Sequence, residues 1–139
     1  MPRSNRDLAL RARRARLNAY APYSKFRVGA AILASDGRVF TGCNVENSSY
    51  GLTTCAERTA VFKAVSEGAR TFKAIAVSTD TDAFVAPCGA CRQVLLEFCP
   101  NADLILINSE KRLKTMKVRS LIPMGFTADK FKRRTKRKK

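Results

Sequence analysis

Hydrophobic and polar positions along the chain follow two periods, and the places where one gives way to the other divide it into elements. Ser4-Asn5-Arg6-Asp7 has the form of a capping box opening a helix. Leu8, Ala12, Ala15 and Ala19 then share one face, with arginines on the others, and Ala21-Pro22-Tyr23-Ser24 ends the helix. Residues 28–34 are small and apolar and predict a strand. Ser35-Asp36-Gly37 predicts a hairpin turn and 38–44 the returning strand. A polar loop at 47–54 leads to a helix over 54–67 stopped by Gly68. Residues 72–79 predict a strand, followed by the turn Asp80-Thr81-Asp82. Pro87 suits a first helical position, and Val94, Leu95 and Phe98 give the following helix an apolar face. Residues 104–107 form a short apolar strand. Residues 111–119 are basic and amphipathic, closed by 120–122 and stopped by Pro123. The last residues offer nothing with which to build a core, so one domain over 1–129 and a disordered tail over 130–139 are expected. A hairpin followed by alternating helices and strands argues for a mixed sheet covered by helices on both faces.

Composition fits one such domain: 139 residues, 45% hydrophobic, long enough to sustain a core without disulfides. The net charge of +16 suggests a polyanionic partner if taken as a sum. Position changes that picture. Residues 1–27 carry +7 and residues 130–139 carry +8, which leaves +1 for everything between. The chain has no histidine, which excludes Ser-His-Asp and Cys-His nucleophiles, His-ligated zinc and His proton shuttles. No apolar run approaches the roughly 20 residues of a membrane span. With five cysteines, an odd number, and no signal-peptide pattern, a reducing, cytoplasmic setting is expected, in which clustered cysteines act as ligands. In a eukaryotic host the basic tail would also resemble a nuclear-import signal.

The chemistry concentrates in Cys55-Ala56-Glu57 and, 33 residues after Cys55, Pro87-Cys88-Gly89-Ala90-Cys91. Each segment starts a predicted helix, and helix N-termini favour thiolate over thiol. Three convergent thiolates suit zinc, and three protein ligands with an open position make the catalytic pattern. Cys99 lies about 12 Å further along its helix than Cys91 and is out of reach. Cys43 alternates with Val39 and Thr41 and reads better as a half-buried core cysteine than as a fourth ligand. Glu57 has two readings: the last member of a Thr54-x-x-Glu57 capping box, or a general acid/base beside an activated water. Arg58 is either a solvated helix residue or a guanidinium offsetting the charge of the thiolates. Asn44 and Glu46 share one face if the second strand runs on through Glu46, forming a donor–acceptor pair for sugar hydroxyls; alone, they would read as polar turn residues.

Pro22-Tyr23-Ser24-Lys25-Phe26, Gly42-Cys43-Asn44-Val45-Glu46-Asn47-Ser48-Ser49-Tyr50-Gly51, Cys55-Ala56-Glu57-Arg58 and Pro87-Cys88-Gly89-Ala90-Cys91-Arg92-Gln93 together resemble the small homotetrameric cytidine deaminases over residues 5–127. The resemblance implies a three-layer α/β/α sandwich around a five-stranded mixed sheet. It implies hydrolysis of cytidine and 2′-deoxycytidine to the uridines and ammonia, with one zinc per subunit on Cys55, Cys88 and Cys91. Hydroxide on that zinc would attack C4 while Glu57 carries protons, with Arg58 supporting the thiolates. Phe26 would pack on the base, Asn44 and Glu46 would hold the 3′-hydroxyl region, and Ala56 would join the substrate contacts. Ser48, Tyr50 and Phe126 would reach a neighbouring subunit's pocket in the homotetramer. Two other readings compete. A deaminase of a cytosine nucleoside antibiotic, of the blasticidin S type, shares the zinc motifs but not Asn44-x-Glu46 and Phe26. A nucleic-acid-binding or editing protein would use the basic ends. Those ends carry few aromatics for base stacking, and Glu46 would repel a 3′-phosphodiester, so weak, salt-sensitive nucleic-acid binding without catalysis is expected of them.

Overall fold

The computed structural model describes residues 2–129 and Phe131. Five strands form one sheet: β1 (Val28–Ala34), β2 (Val39–Cys43), β3 (Phe72–Thr79), β4 (Asp103–Ile107) and β5 (Leu113–Lys117). Their spatial order is β2-β1-β3-β4-β5. β1 runs antiparallel to β2 and β3, β3 and β4 are parallel, and β5 returns antiparallel to β4. The sheet is therefore mixed, as expected.

Helix α1 (Asn5–Ala15) covers one face, and α2 (Ala56–Ser66) and α3 (Gly89–Phe98) cover the other. Side chains alternate across a strand, so each interior strand feeds two cores. On the first face Leu8, Ala9 and Ala12 pack on Ala31, Ala76 and Ile105. On the second, Ala60, Val61 and Leu95 pack on Ile32, Ile75 and Leu104. Small residues let the layers approach closely. A Cβ on Gly29 would lie 2.1 Å from the Ala12 carbonyl oxygen, and one on Gly42 would lie 2.6 Å from the Ala60 nitrogen. The first helix thus rests on the backbone of β1 and the second on the backbone of β2.

The Ser4 cap forms: its hydroxyl accepts the Asp7 N–H at 3.2 Å. The predicted elements need four adjustments. α1 ends at Ala15 and tightens into a 3-10 turn over Arg16–Asn18, leaving Ala19 extended and outside the apolar stripe. β2 ends at Cys43, and Val45 makes only single bridges, to Tyr20 and Thr54. Pro87 precedes α3, whose cap is Cys88. The basic segment at 111–119 is the edge strand β5 followed by a 3-10 turn over Val118–Leu121, because Leu113 and Met116 pack into opposite cores. The basic tail expected over 130–139 lies outside the described residues apart from Phe131, whose ring meets Phe126 edge-on at 5.5 Å. Among the described residues no helix is long and apolar enough to cross a membrane.

Candidate active site

The carboxyl end of β3, the start of β1 and the first residues of α2 and α3 surround a cavity of about 250 Å³. In open sheets, the carboxyl ends of parallel strands are where ligands collect. Cys55 and Cys88 are the N-cap residues of α2 and α3, and neither cap is closed by a side-chain hydrogen bond. Both helices therefore present free N–H groups and partial positive charge beside the sulfurs.

The three predicted ligands meet. The Cys55 and Cys88 sulfurs are 3.8 Å apart, those of Cys88 and Cys91 are 3.5 Å apart, and all three lie within 4.8 Å of one another. Cys43, half-buried at the end of β2, and Cys99, buried with its thiol pushed up to about 12 by desolvation, stand outside the cluster. Arg58 Nη2 donates to Cys55 Sγ at 3.4 Å. A thiol hydrogen bond from Cys91, with the guanidinium next, brings Cys55 down to about 5. The same bond and burial push Cys91 up, so the first negative charge of the cluster sits on Cys55. Three soft sulfur donors with a cation beside them fit zinc, and no fourth ligating side chain joins the group among the described residues.

Glu57 is buried against the same cavity. It closes no capping box: the cap is Cys55, and the Thr54 N–H donates to the Val45 carbonyl at 3.0 Å. Burial, aided by the nearby Cys55 charge, raises its carboxyl to about 7. A carboxyl that gains and loses a proton near neutrality can act as acid and base in turn.

Across the cavity lie Phe26, Asn44 and Glu46. Asn44 Oδ1 accepts the Val28 N–H at 2.9 Å and Nδ2 donates to the Phe26 carbonyl at 2.8 Å. Glu46 Oε1 accepts the N–H groups of Tyr23 and Ser24 at 2.9 and 3.1 Å, and Oε2 accepts the Ser24 hydroxyl. These bonds, the hydroxyl foremost, hold the Glu46 carboxyl below the usual range. Ala56 also faces the cavity.

Ser48, Tyr50 and Phe126 do not line it. Tyr50 is 75% exposed, its ring 6.0 Å from that of Tyr23, and Phe126 is exposed with its carbonyl accepting from Gln93 Nε2 at 2.8 Å. Two contributors carried no individual signal in the sequence. Ser24 lines the wall and grips Glu46. Arg92 ties the ligand segment down, with Nε donating to the Pro87 carbonyl at 2.7 Å and Nη1 to the Leu121 carbonyl at 3.1 Å. Both lie inside the motifs quoted above, but their partners are remote along the chain.

The family model for the cytidine and deoxycytidylate deaminase zinc-binding region matches residues 2–106. A cytidine deaminase from Sporosarcina psychrophila is 52% identical over 123 residues, covering 88% of this chain and 90% of the relative. One from Halalkalibacterium halodurans is 55% identical over 116 residues, covering 83% and 88%. The crystal structure of a cytidine deaminase from Burkholderia pseudomallei superposes with a TM-score of 0.86 at 48% identity, covering 88% of this chain and 99% of that one.

Proposed function

The chain belongs to the zinc-dependent cytidine deaminase family, and on that premise we propose that it hydrolyses cytidine and 2′-deoxycytidine to uridine and 2′-deoxyuridine, releasing ammonia. The observation that carries this reading is the placement of buried Glu57 on the same cavity as the three-sulfur cluster, in a chain with no histidine to compete for its role. Cys55, Cys88 and Cys91 would hold the zinc, which when bound supplies Lewis-acid activation of the attacking water. Glu57 takes a proton from that water, delivers it to N3 of the base as C4 is attacked, and then carries a proton to the leaving amine. Arg58 offsets the summed thiolate charge, which would otherwise weaken the metal's pull. Phe26 packs on the base, Asn44 and Glu46 face the 3′-hydroxyl, and Ala56 closes the wall beneath the ring. Steady-state turnover of cytidine, deoxycytidine, CMP, cytosine and short single-stranded DNA tests the assignment. Activity confined to the two nucleosides supports it, and failure to release ammonia from either refutes it.

The reading includes a homotetramer in which Ser48, Tyr50 and Phe126 complete a neighbour's site. It is supported by the exposure of Tyr50, Leu52, Phe62 and Met124, apolar side chains of a kind that subunit contacts cover. Light scattering measures the mass directly. It also includes a reducing, cytoplasmic setting, in which the thiol cluster stays free of disulfides. The basic ends add weak, salt-dependent nucleic-acid binding, supported by Arg3, Arg6 and Arg14 exposed on or beside α1 and by eight Lys and Arg among residues 130–139. Anisotropy of labelled single-stranded DNA at two salt concentrations, with and without 130–139, tests that part. Cytidine turnover should survive the deletion.

A further inference from the structure

We infer that Ser24 is a positioning residue for the sugar, holding the Glu46 carboxylate in the orientation in which it accepts the nucleoside 3′-hydroxyl; this rests on the reading of Glu46 given above. The Ser24 hydroxyl occupies the middle of a directed chain. It accepts the Phe26 N–H at 3.0 Å and donates to Glu46 Oε2. Glu46 Oε1 takes the N–H groups of Tyr23 and Ser24. Three donors from one short turn thus converge on a carboxylate more than twenty residues away. The same turn carries Phe26, and the Phe26 carbonyl is held by Asn44 Nδ2 at 2.8 Å. Both backbone groups of the base-packing residue are therefore bonded to sugar-side residues, one to Ser24 and one to Asn44.

Between them Lys25 adopts φ 62, a left-handed conformation that residues with side chains seldom occupy. Bonds at Ser24 and Phe26 flank it and its own N–H donates to the Ala21 carbonyl at 3.0 Å, the kind of surrounding support that lets a local strain persist at a binding site.

A free glutamate side chain has three rotatable bonds, and freezing them when substrate arrives would cost affinity. The Ser24 hydroxyl and the two N–H groups freeze them beforehand. An ionised carboxylate has no proton to donate, so Glu46 meets the sugar only as an acceptor. Ser24 is exposed and packs no core, so its contribution is to the geometry of Glu46 and Phe26.

The test compares Ser24→Ala, Ser24→Thr and Glu46→Gln with the parent enzyme, on cytidine and 3′-deoxycytidine, with melting temperature and zinc content measured on each. Ser24→Ala removes both the donor to Glu46 Oε2 and the acceptor of the Phe26 N–H, and is expected to raise KM for cytidine about 10- to 100-fold with kcat within about twofold, the scale of a lost hydrogen bond to a charged group. The preference for cytidine over 3′-deoxycytidine, as a ratio of kcat/KM, falls by a similar factor. Ser24→Thr restores it. Because each ratio is taken within one protein, a loss of folded fraction cancels. If Glu46→Gln collapses the ratio while Ser24→Ala leaves it intact, the role given to Ser24 is overturned and the sugar reading of Glu46 stands. If Glu46→Gln itself leaves the ratio intact, the sugar reading falls, and this inference with it.

Discussion

Replacing Glu57 with glutamine keeps the side chain's size and removes its ability to accept a proton. Its environment sets the magnitude. Among the described residues the only other carboxylate lining the cavity is Glu46, which is bonded to the Ser24 hydroxyl, and the chain has no histidine. Among the described residues lining the cavity no further carboxyl or imidazole is placed to take over the transfer. A positioned acid or base contributes about 10²- to 10⁴-fold, and in the proposed mechanism Glu57 serves both the ring nitrogen and the leaving amine, so kcat should fall at least 10³-fold. Stability moves the other way. A buried carboxyl raised from 4.5 to about 7 penalises folding as it ionises. Between those values the folded state binds more protons than the unfolded one, so stability declines with rising pH and the penalty is complete above pH 7. In zinc-free protein the Glu57→Gln variant should therefore melt above the parent at pH 8 and match it near pH 4. Ammonia release, metal analysis and thermal melts at the two pH values provide the measurements. A variant with stoichiometric zinc and kcat within tenfold of the parent would sink the proton-carrier role.

Arg58→Ala removes the guanidinium 3.4 Å from Cys55 Sγ, so zinc affinity by chelator competition, or kcat at saturating zinc, should fall roughly 10- to 100-fold. Gly29→Ala forces a methyl to within 2.1 Å of the Ala12 carbonyl oxygen; overpacking of this kind costs about 1–3 kcal/mol, a drop of several degrees in Tm with the site motifs untouched. The Glu46 carboxyl sits below its ordinary 4.5, so the stabilisation from its bonds is full above 4.5 and lost only as pH falls through the lower folded value. The preference for cytidine over 3′-deoxycytidine should accordingly stay flat from pH 7 to pH 5, and a decline centred above 4.5 would contradict the depressed value.

How much of this could be read from the order of residues depended on range. α1, the β1–β2 hairpin, α2 and the interior strands follow from caps, turn residues and hydrophobic period, all of which act within a few positions. β5 did not announce itself. Its five residues carry two lysines, and only pairing with β4, which lays Leu113 opposite Ile107 and Met116 opposite Leu104, makes a strand of them. The close contacts at Gly29 and Gly42 likewise needed the helices in place before small residues in those strands acquired a reason.

The site divides along the same line. The metal cluster was legible because Cys55, Cys88 and Cys91 are chemically distinctive and each segment begins a helix. Glu57 was ambiguous, since a capping box and a proton carrier ask for the same residue at the same spacing. The structure withdraws the capping box, giving the Thr54 N–H to Val45, and buries the carboxylate, which supports the proposed proton carrier. What supports the proposed roles is the contrast between two glutamates on one cavity. Glu46 has three donors, stays charged, and can only accept. Glu57 has burial and a neighbouring thiolate, rises toward neutrality, and can exchange a proton. Environments that drive paired carboxyls apart mark which one binds and which one reacts. In the proposed reading Ser24 is the lever on one side of that contrast, and nothing about a serine in a turn reveals it until Glu46 is folded against it.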